Sequence, residues 1–187
     1  MGLAAPVGAQ PVLLLTGAPG AGKTSVARAL ARHWDRAVHV EADEFFRFVA
    51  SGYVDPAKPG SEGQNETVMR AVALTAATYA DAGYTTIVEG IIQPRWFLEP
   101  LRDSLADAGH RTAYAILHAP LETCIERART RAEHPAQDSA VVEQLWHAFA
   151  EPGGLAKHVV DTSTASAEEV AATIATDIGG ACRLCLT

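Results

Sequence analysis

The chain has 187 residues, and its 15 basic and 22 acidic side chains give a net charge of −7. At roughly 100–200 residues per domain this length predicts a single domain, and the ordinary shares of apolar and charged residues, 48% and 20%, exclude a disordered or collagen-like chain. The acidic balance argues against broad nucleic-acid binding and against attachment to an anionic membrane, because both need a basic surface.

Segments that would direct the chain to a membrane or hold it together by disulfides are not expected. Residues 1–10 carry no charged side chain, so they lack the basic start of a signal peptide, and we interpret them as a mobile lead-in. No stretch approaches the roughly 18 apolar residues of a membrane span. Three cysteines are too few for a disulfide scaffold, and Cys182 and Cys185 in the 179–187 tail are too few for zinc. We therefore expect a cytoplasmic protein.

Short apolar runs alternate with helical patterns along the chain. The runs rich in β-branched or aliphatic residues are predicted strands at 12–15, 37–40, 85–88, 112–117 and 158–160. The predicted helices cover about 23–34, 44–49, 65–82, 121–131, 139–149 and 166–178. Short strands separated by helices predict an α/β domain, in which a parallel sheet is covered on both faces and joined by right-handed crossovers.

The segment 51–63 interrupts this pattern. Two prolines and three glycines make a helix unfavourable there, so the segment is predicted to be a loop. Loops of this length inside a compact domain are often lids or binding loops.

The sequence between the first strand and the first helix is a complete phosphate-binding motif. It matches G-x-x-x-x-G-K-T without a mismatch, in the order Gly17, Ala18, Pro19, Gly20, Ala21, Gly22, Lys23, Thr24, with Ser25 following. Glycines let backbone N–H groups converge on phosphate oxygens, and the helix that follows directs its positive end at the anion. The Lys23 ammonium is expected to reach the β- and γ-phosphates and the Thr24 hydroxyl to bind Mg²⁺.

Other landmarks narrow the class of phosphate-loop protein. The sequence contains no Asn-Lys-x-Asp guanine motif and no Leu-Ser-Gly-Gly-Gln transporter signature, and it is short for a large mechanical ATPase. A compact nucleoside- or metabolite-kinase-like domain remains.

The whole layout resembles the small phosphate-loop kinases, in particular the chloramphenicol phosphotransferase-like, zeta-toxin-like, gluconate-kinase-like and adenylate-kinase-like members. The resemblance covers 12 to about 178. It implies a three-layer fold with a five-stranded parallel sheet in the order 2-3-1-4-5, a short lid at about 121–135, and ATP and Mg²⁺ as cofactors. It also implies that residues 161–164, after the fifth strand, lie along the adenine base, although a simple turn before the last helix is an equal alternative.

Asp43 follows the second strand, at the edge of the sheet where acceptors bind in open α/β folds. Similar kinases place there an Asp that accepts the proton of the substrate hydroxyl, so the resemblance implies a catalytic base. Glu41 and Glu44 are competing candidates, and Asp43 is also well placed to be the N-cap of a helix. Arg47, four residues on, shares its helix face and is a candidate for holding the acceptor.

Two further positions carry charge near the predicted site. The third strand ends at Glu89, and the stretch from there to Arg95 is similar to the Asp-Gly-Phe-Pro-Arg stretch of nucleoside monophosphate kinases, with extra residues before the proline. The resemblance implies that Glu89 holds a Mg²⁺-bound water and that Arg95 faces the acceptor. The departure from the pattern argues against a nucleotide acceptor.

Arginines recur in the predicted lid helix. Arg127 and Arg131 are four residues apart and share a face, and the resemblance implies that they close over the phosphates, where guanidinium groups stabilise a transferring phosphoryl group. An ordinary charged face paired with Glu122 and Glu126 is the alternative.

Taken together, these features predict an ATP- and Mg²⁺-dependent phosphotransferase that acts on a hydroxyl of a small molecule, such as a metabolite, sugar or antibiotic. The open alternatives are a nucleoside or nucleotide kinase, a toxin that phosphorylates a cell-wall sugar nucleotide, and a nucleotide-binding protein without transfer activity. No nucleic-acid or membrane partner is expected, and the chain is predicted to be a monomer or homodimer. His39 and His118, in or beside apolar runs, are expected to be core residues.

Overall fold

The computed structural model describes residues 11–94, 96–130 and 138–186. Five strands alternate with helices. The strands are β1 (Val12–Gly17), β2 (Ala37–Glu41), β3 (Thr85–Glu89), β4 (Thr112–His118) and β5 (Val159–Asp161). The helices are α1 (Lys23–Ala31), α2 (Ala42–Phe46), α3 (Glu62–Asp81), α4 (Leu98–Asp107), α5 (Leu121–Thr130), α6 (Ser139–Ala150) and α7 (Ala167–Gly179), with a 3₁₀ helix at Gly153–His158.

The strands form one parallel sheet in the order β2-β3-β1-β4-β5, which confirms the predicted order. The carboxyl end of β1 lies in the middle of this sheet, between the ends of β3 and β4. The phosphate loop that follows β1 is therefore placed at the topological switch point, where ligands bind in open α/β sheets.

Alternate residues of the central strands enter two separate hydrophobic clusters. Leu13 and Leu15 of β1 face α1, α5, α6 and α7. Leu14, between them, faces α2, α3 and α4 on the other side of the sheet. Because β1 is buried on both faces, its sequence is apolar without alternation, as is usual for a parallel strand between two helical layers.

The helices differ from the prediction at several boundaries, including the start of α3 at Glu62 rather than at residue 65, and by one additional helix. The first helix ends at Ala31 rather than at Trp34, although the Trp34 side chain is still buried. The second begins two residues early, at Ala42. Helix α4 had no counterpart in the prediction, yet its buried residues Leu98, Leu101 and Leu105 have the three- and four-residue spacing of an amphipathic helix.

The tail beyond α7 closes the sheet beside β4. Because β5 pairs only with residues 116–118, the first half of β4 has an open edge. The tail fills it: Tyr114 N–H donates to Leu184 O at 2.8 Å, and Leu186 N–H donates to Thr112 O at 2.9 Å. A disulfide joins Cys182 and Cys185 within this tail, a pairing that the cysteine count did not predict.

No helix in the described ranges combines the length and the apolar character needed to cross a bilayer.

Candidate active site at the phosphate loop

Residues 17–24 form a tight loop between β1 and α1, and its glycines are required by close contacts. Gly17 and Gly20 have φ of +145° and +81°. A Cβ atom on Gly17 would lie 2.3 Å from Leu117 O, and one on Gly20 would lie 2.0 Å from Cys124 O. The loop is therefore packed against the backbone of β4 and α5, and only glycine fits at these two positions.

Lys23 is the first residue of α1, and its side chain folds back over the loop. The residue is 8% exposed, and its Nζ donates to Gly17 O at 3.1 Å and to Ala18 O at 3.3 Å. The ammonium is thus held directly above the loop whose N–H groups are expected to receive phosphate.

Thr24, one residue further on, links the loop to the end of β3. Its Oγ1 donates to Glu89 Oε1 at 3.1 Å, and both residues are buried. The other carboxylate oxygen of Glu89, Oε2, lies 3.0 Å from His39 Nε2. Burial alone would raise the pKa of Glu89, but the hydrogen bond from His39 and the nearby Lys23 charge outweigh it and hold the pKa below its ordinary value. Glu89 is therefore a fixed, ionised oxygen donor beside the Thr24 hydroxyl.

The oxygen donors of Thr24 and Glu89 fit Mg²⁺ better than a transition metal. Hydroxyl and carboxylate oxygens suit a hard cation, and in nucleotide enzymes Mg²⁺ takes one or two protein oxygens and completes its shell with phosphate and water. In the part of the chain that the structure describes, no group of three or more His, Cys, Asp or Glu side chains forms an all-protein metal cage. The donors present therefore match a metal that arrives with the nucleotide.

Asp43 lies in the first turn of α2, immediately beyond β2. The N-cap of α2 is Glu41, so the interpretation of Asp43 as the cap is wrong. Gly90 allows α2 to approach the end of β3, since a Cβ atom on Gly90 would lie 2.9 Å from Ala42 Cβ and 3.8 Å from Asp43 Oδ1. The Asp43 carboxylate is thus beside the backbone that directly follows Glu89, and it is exposed to solvent.

The other charged candidates on this side of the sheet differ in their environments. Arg47 forms an exposed ion pair with Glu44 at 2.8 Å. Glu41 Oε1 lies 4.0 Å from His39 Nδ1, and its side chain is partly exposed. Arg95 lies outside the described residues, as do residues 1–10.

The segment after Glu89 is fixed to the core at Ile92. Ile92 N–H donates to Thr16 Oγ1 at 2.9 Å, and Tyr114 OH donates to Ile92 O at 2.6 Å. Both backbone groups of one residue are therefore held by buried side chains. The chain that leaves β3 after Glu89 is therefore anchored at Ile92, three residues further on.

The 51–63 segment is a loop up to Ser61, as predicted, whereas its last two residues belong to α3, and side chains of α3 hold the loop at residues 54, 56 and 61. The Gln64 side chain accepts from Val54 N–H at 2.9 Å and donates to Val54 O at 2.6 Å. Asn65 Nδ2 donates to Pro56 O and to Ser61 Oγ, both at 3.0 Å. These bonds tie the loop to the first turn of α3.

Arg127 of α5 lies between two cavities of about 290 Å³ each. One is lined by the phosphate loop, with Gly20, Gly22, Lys23, Ser25, Arg127 and Thr130. The other extends toward α7 and includes Ala21, Val26, Thr162, Ala165 and Val170. The Arg127 guanidinium donates to Thr162 O from both terminal nitrogens, at 3.1 and 3.2 Å. Arg127 therefore borders the phosphate loop but contacts the loop after β5; Arg131 and the rest of the predicted lid, 131–135, lie outside the described residues.

One residue at this site, His39, was not singled out for a function by the sequence, and Thr162, in the predicted 161–164 loop, has a contact that the sequence did not predict. His39 was expected to be a core residue, yet it contacts Glu89. Thr162 is buried, and its Oγ1 donates to Ala21 O at 3.0 Å, which ties the loop after β5 to the phosphate loop. The position of His39 near the end of β2 could have indicated its contact with Glu89. The ends of neighbouring parallel strands lie side by side, and β2 pairs Glu41, two residues after His39, with Glu89.

Comparisons with known proteins identify a family for the chain and structures that share its fold. Residues 12–152 match a family model described as an AAA domain. No curated protein matches the sequence.

Several solved structures share the fold at low sequence identity. The tunicamycin resistance protein of Deinococcus radiodurans is 22% identical, with a TM-score of 0.69 over 91% of this chain and 96% of its own. A sugar kinase from Janibacter sp. HTCC2649 is 22% identical, with a TM-score of 0.68 over 92% and 97%. A gluconokinase from Sinorhizobium meliloti 1021 is 20% identical, with a TM-score of 0.62 over 91% and 97%. The fold is that of the small phosphate-loop kinases.

Proposed function

The chain belongs to the AAA domain family, and from this premise we propose that it is an ATP- and Mg²⁺-dependent phosphotransferase that transfers the γ-phosphate of ATP to a hydroxyl of a small molecule. One observation carries the proposal. A complete phosphate loop is hydrogen-bonded through Thr24 to a buried carboxylate, Glu89, and a second carboxylate, Asp43, lies beside the residue that follows it.

The nucleotide would occupy the two cavities on either side of Arg127. The triphosphate would lie on the loop N–H groups, and Lys23 Nζ would exchange the carbonyl oxygens of Gly17 and Ala18 for β- and γ-phosphate oxygens. The base would extend toward Thr162 and α7. Lys23 and Arg127 then supply positive charge along the phosphate chain.

Thr24 and Glu89 would hold Mg²⁺, Thr24 through its hydroxyl and Glu89 through a metal-bound water. When bound, the metal neutralises charge on the β- and γ-phosphates. The contribution of the protein is to keep Glu89 ionised and fixed, which the hydrogen bonds from Thr24 and His39 support.

Asp43 would orient the acceptor and take its proton. The acceptor oxygen attacks the γ-phosphorus, the bond from this phosphorus to the β–γ bridging oxygen breaks, ADP leaves, and the hydroxyl proton passes to the Asp43 carboxylate. Glu44, which forms an exposed ion pair with Arg47, is an alternative candidate for the base. Glu41 is also an alternative candidate for the base, since it lies at the end of β2, opposite Glu89.

The class of acceptor is proposed from the neighbours. Two of the similar structures are named as a sugar kinase and a gluconokinase, and a third as a tunicamycin resistance protein. Hydroxylated sugars, sugar acids and hydroxyl-bearing antibiotics are therefore the first compounds to test.

The test is ATP-dependent phosphorylation across a panel of these compounds, detected by mass spectrometry of the product. Asp43→Asn is expected to lower kcat for the acceptor by at least about 100-fold, the usual contribution of a positioned base, while ATP binding is unchanged. Glu44→Gln is the matched control, because it removes the neighbouring carboxylate and is expected to leave turnover within about threefold of the wild type.

Two results would contradict the proposal. Full acceptor phosphorylation by Asp43→Asn would exclude Asp43 as the base. ATP binding without product from any acceptor, nucleosides and nucleoside monophosphates included, would favour a nucleotide-binding protein without transfer activity.

A further inference from the structure

His39 of β2 contacts Glu89, the carboxylate that is hydrogen-bonded to Thr24 of the phosphate loop. In the parallel pairing of β2 and β3, His39 is opposite Ile87 and Glu41 is opposite Glu89. Since side chains alternate along a strand, His39 and Glu41 share one face. The His39 side chain is 14% exposed, and its Nε2 lies 3.0 Å from Glu89 Oε2.

The two oxygens of the Glu89 carboxylate have different partners. Oε1 accepts from Thr24 Oγ1 and is thus directed at the phosphate loop, whereas Oε2 is held by His39 from the adjacent strand. A carboxylate with a partner on each oxygen cannot rotate about its last bond without losing both. Without His39, Oε2 would be left in a buried site with one polar partner fewer.

We propose that His39 is a positioning residue for the metal of this kinase: through its Nε2–H bond to Glu89 Oε2 it fixes Glu89 so that Oε1 stays at the metal side. The inference rests on the proposed function, because it assigns Thr24 and Glu89 to the metal. It adds a residue that would act through its bond to Glu89 and not through a bond to the nucleotide or the metal. Groups in this position around a metal typically change its affinity by about 10–100-fold when they are removed.

A matched pair of amide variants tests the geometry. In His39→Gln the side-chain NH₂ stands close to the position of Nε2 and keeps the bond to Glu89. In His39→Asn the NH₂ stands close to the position of Nδ1, which faces Glu41 at 4.0 Å, and the bond to Glu89 is lost. Both variants replace a ring by a neutral amide, so the pair differs mainly in which atom of His39 is mimicked.

The probe is Mn²⁺, whose binding to the protein with saturating non-hydrolysable ATP analogue is followed by electron paramagnetic resonance. His39→Asn is expected to weaken Mn²⁺ binding by about tenfold or more, and His39→Gln to stay within about threefold of the wild type. Binding of a fluorescent ATP analogue in EDTA is expected to be equal in all three proteins, because the polar partners of His39 are Glu89 and Glu41 and not the phosphate loop.

Equal Mn²⁺ affinity in His39→Asn and His39→Gln would overturn the proposal, whether both are strong or both are weak. Weakened nucleotide binding in EDTA would also overturn it, because a general loss of structure would then be the cause. Failure of the proposed function would be seen separately, as absence of nucleotide binding by the wild-type protein.

Discussion

Replacing Gly20 by alanine is expected to destabilise the protein and to abolish ATP binding. At φ +81° the backbone of Gly20 is in the left-handed region, and a Cβ atom there would lie 2.0 Å from Cys124 O and 2.7 Å from Cys124 C. These are backbone atoms of α5, so the clash is relieved only if the loop or the helix moves. Either movement displaces the N–H groups that are expected to bind phosphate.

The size of the effect follows from two contributions. A left-handed residue other than glycine costs about 1–2 kcal/mol, and forcing an extra methyl into a packed region costs about 1–3 kcal/mol. The sum is about 2–5 kcal/mol. For a chain of this length each kcal/mol lowers the melting temperature by about 2–4 °C, so the expected decrease is roughly 4–20 °C.

Gly60→Ala is the matched control. Gly60 has φ +89°, but no atom lies within 4 Å of the place where its Cβ would be. Only the conformational cost remains, about 1–2 kcal/mol or roughly 2–8 °C. Thermal unfolding by circular dichroism gives the two decreases, and titration calorimetry gives ATP binding, which Gly60→Ala should retain. If Gly20→Ala melts no lower than Gly60→Ala and binds ATP like the wild type, the close contact between the loop and α5 is wrong.

Three other perturbations probe the surroundings of the site. Tyr114→Phe leaves the buried Ile92 carbonyl without its donor and is expected to cost about 1–3 kcal/mol in urea unfolding. Arg127→Met removes the bonds to Thr162 O and is expected to raise the Kd of ATP by about tenfold in calorimetry, with little change in melting temperature. For Glu89, whose pKa is lowered from an ordinary 4.5, the stabilisation is complete above that value and is lost as the pH falls through the folded-state pKa. The unfolding free energy of the wild type minus that of Glu89→Gln should therefore decrease as the pH falls below about 4.5.

Each of these three predictions has an outcome that would contradict it. Tyr114→Phe with wild-type stability would mean that water or another donor satisfies Ile92 O. An unchanged ATP affinity in Arg127→Met would mean that the contact of Arg127 with the loop after β5 does not contribute to nucleotide binding. A difference between wild type and Glu89→Gln that grows as the pH falls below about 4.5 would show that the pKa of Glu89 is not lowered in the folded protein.

The phosphate loop and the sheet were predictable because their signals are local or shared with a family. The motif at 17–24 consists of consecutive residues, and the strands are short apolar runs. The strand order followed from the resemblance, since nothing in the composition of a strand says which neighbour it pairs with. Helix α4 was missed although Leu98, Leu101 and Leu105 carried the pattern.

The site beyond the loop was less predictable because its contacts join distant residues. His39 and Glu89 are 50 residues apart, and only the register of two parallel strands brings them together. The expectation that Asp43 caps a helix failed because α2 starts directly after the strand, which leaves Glu41 at the cap. The contact of Arg127 with Thr162 depends on where the loop after β5 turns, and no local pattern specifies that.

The antiparallel pairing of the tail with β4 has a consequence during biosynthesis. Leu184 and Leu186 follow α7, the last helix of the described residues, so until they are translated Tyr114 N–H and Thr112 O stand at an unprotected sheet edge. Such an edge recruits strands from other molecules. Nascent chains, and truncations that end at α7, should therefore self-associate through this edge of β4.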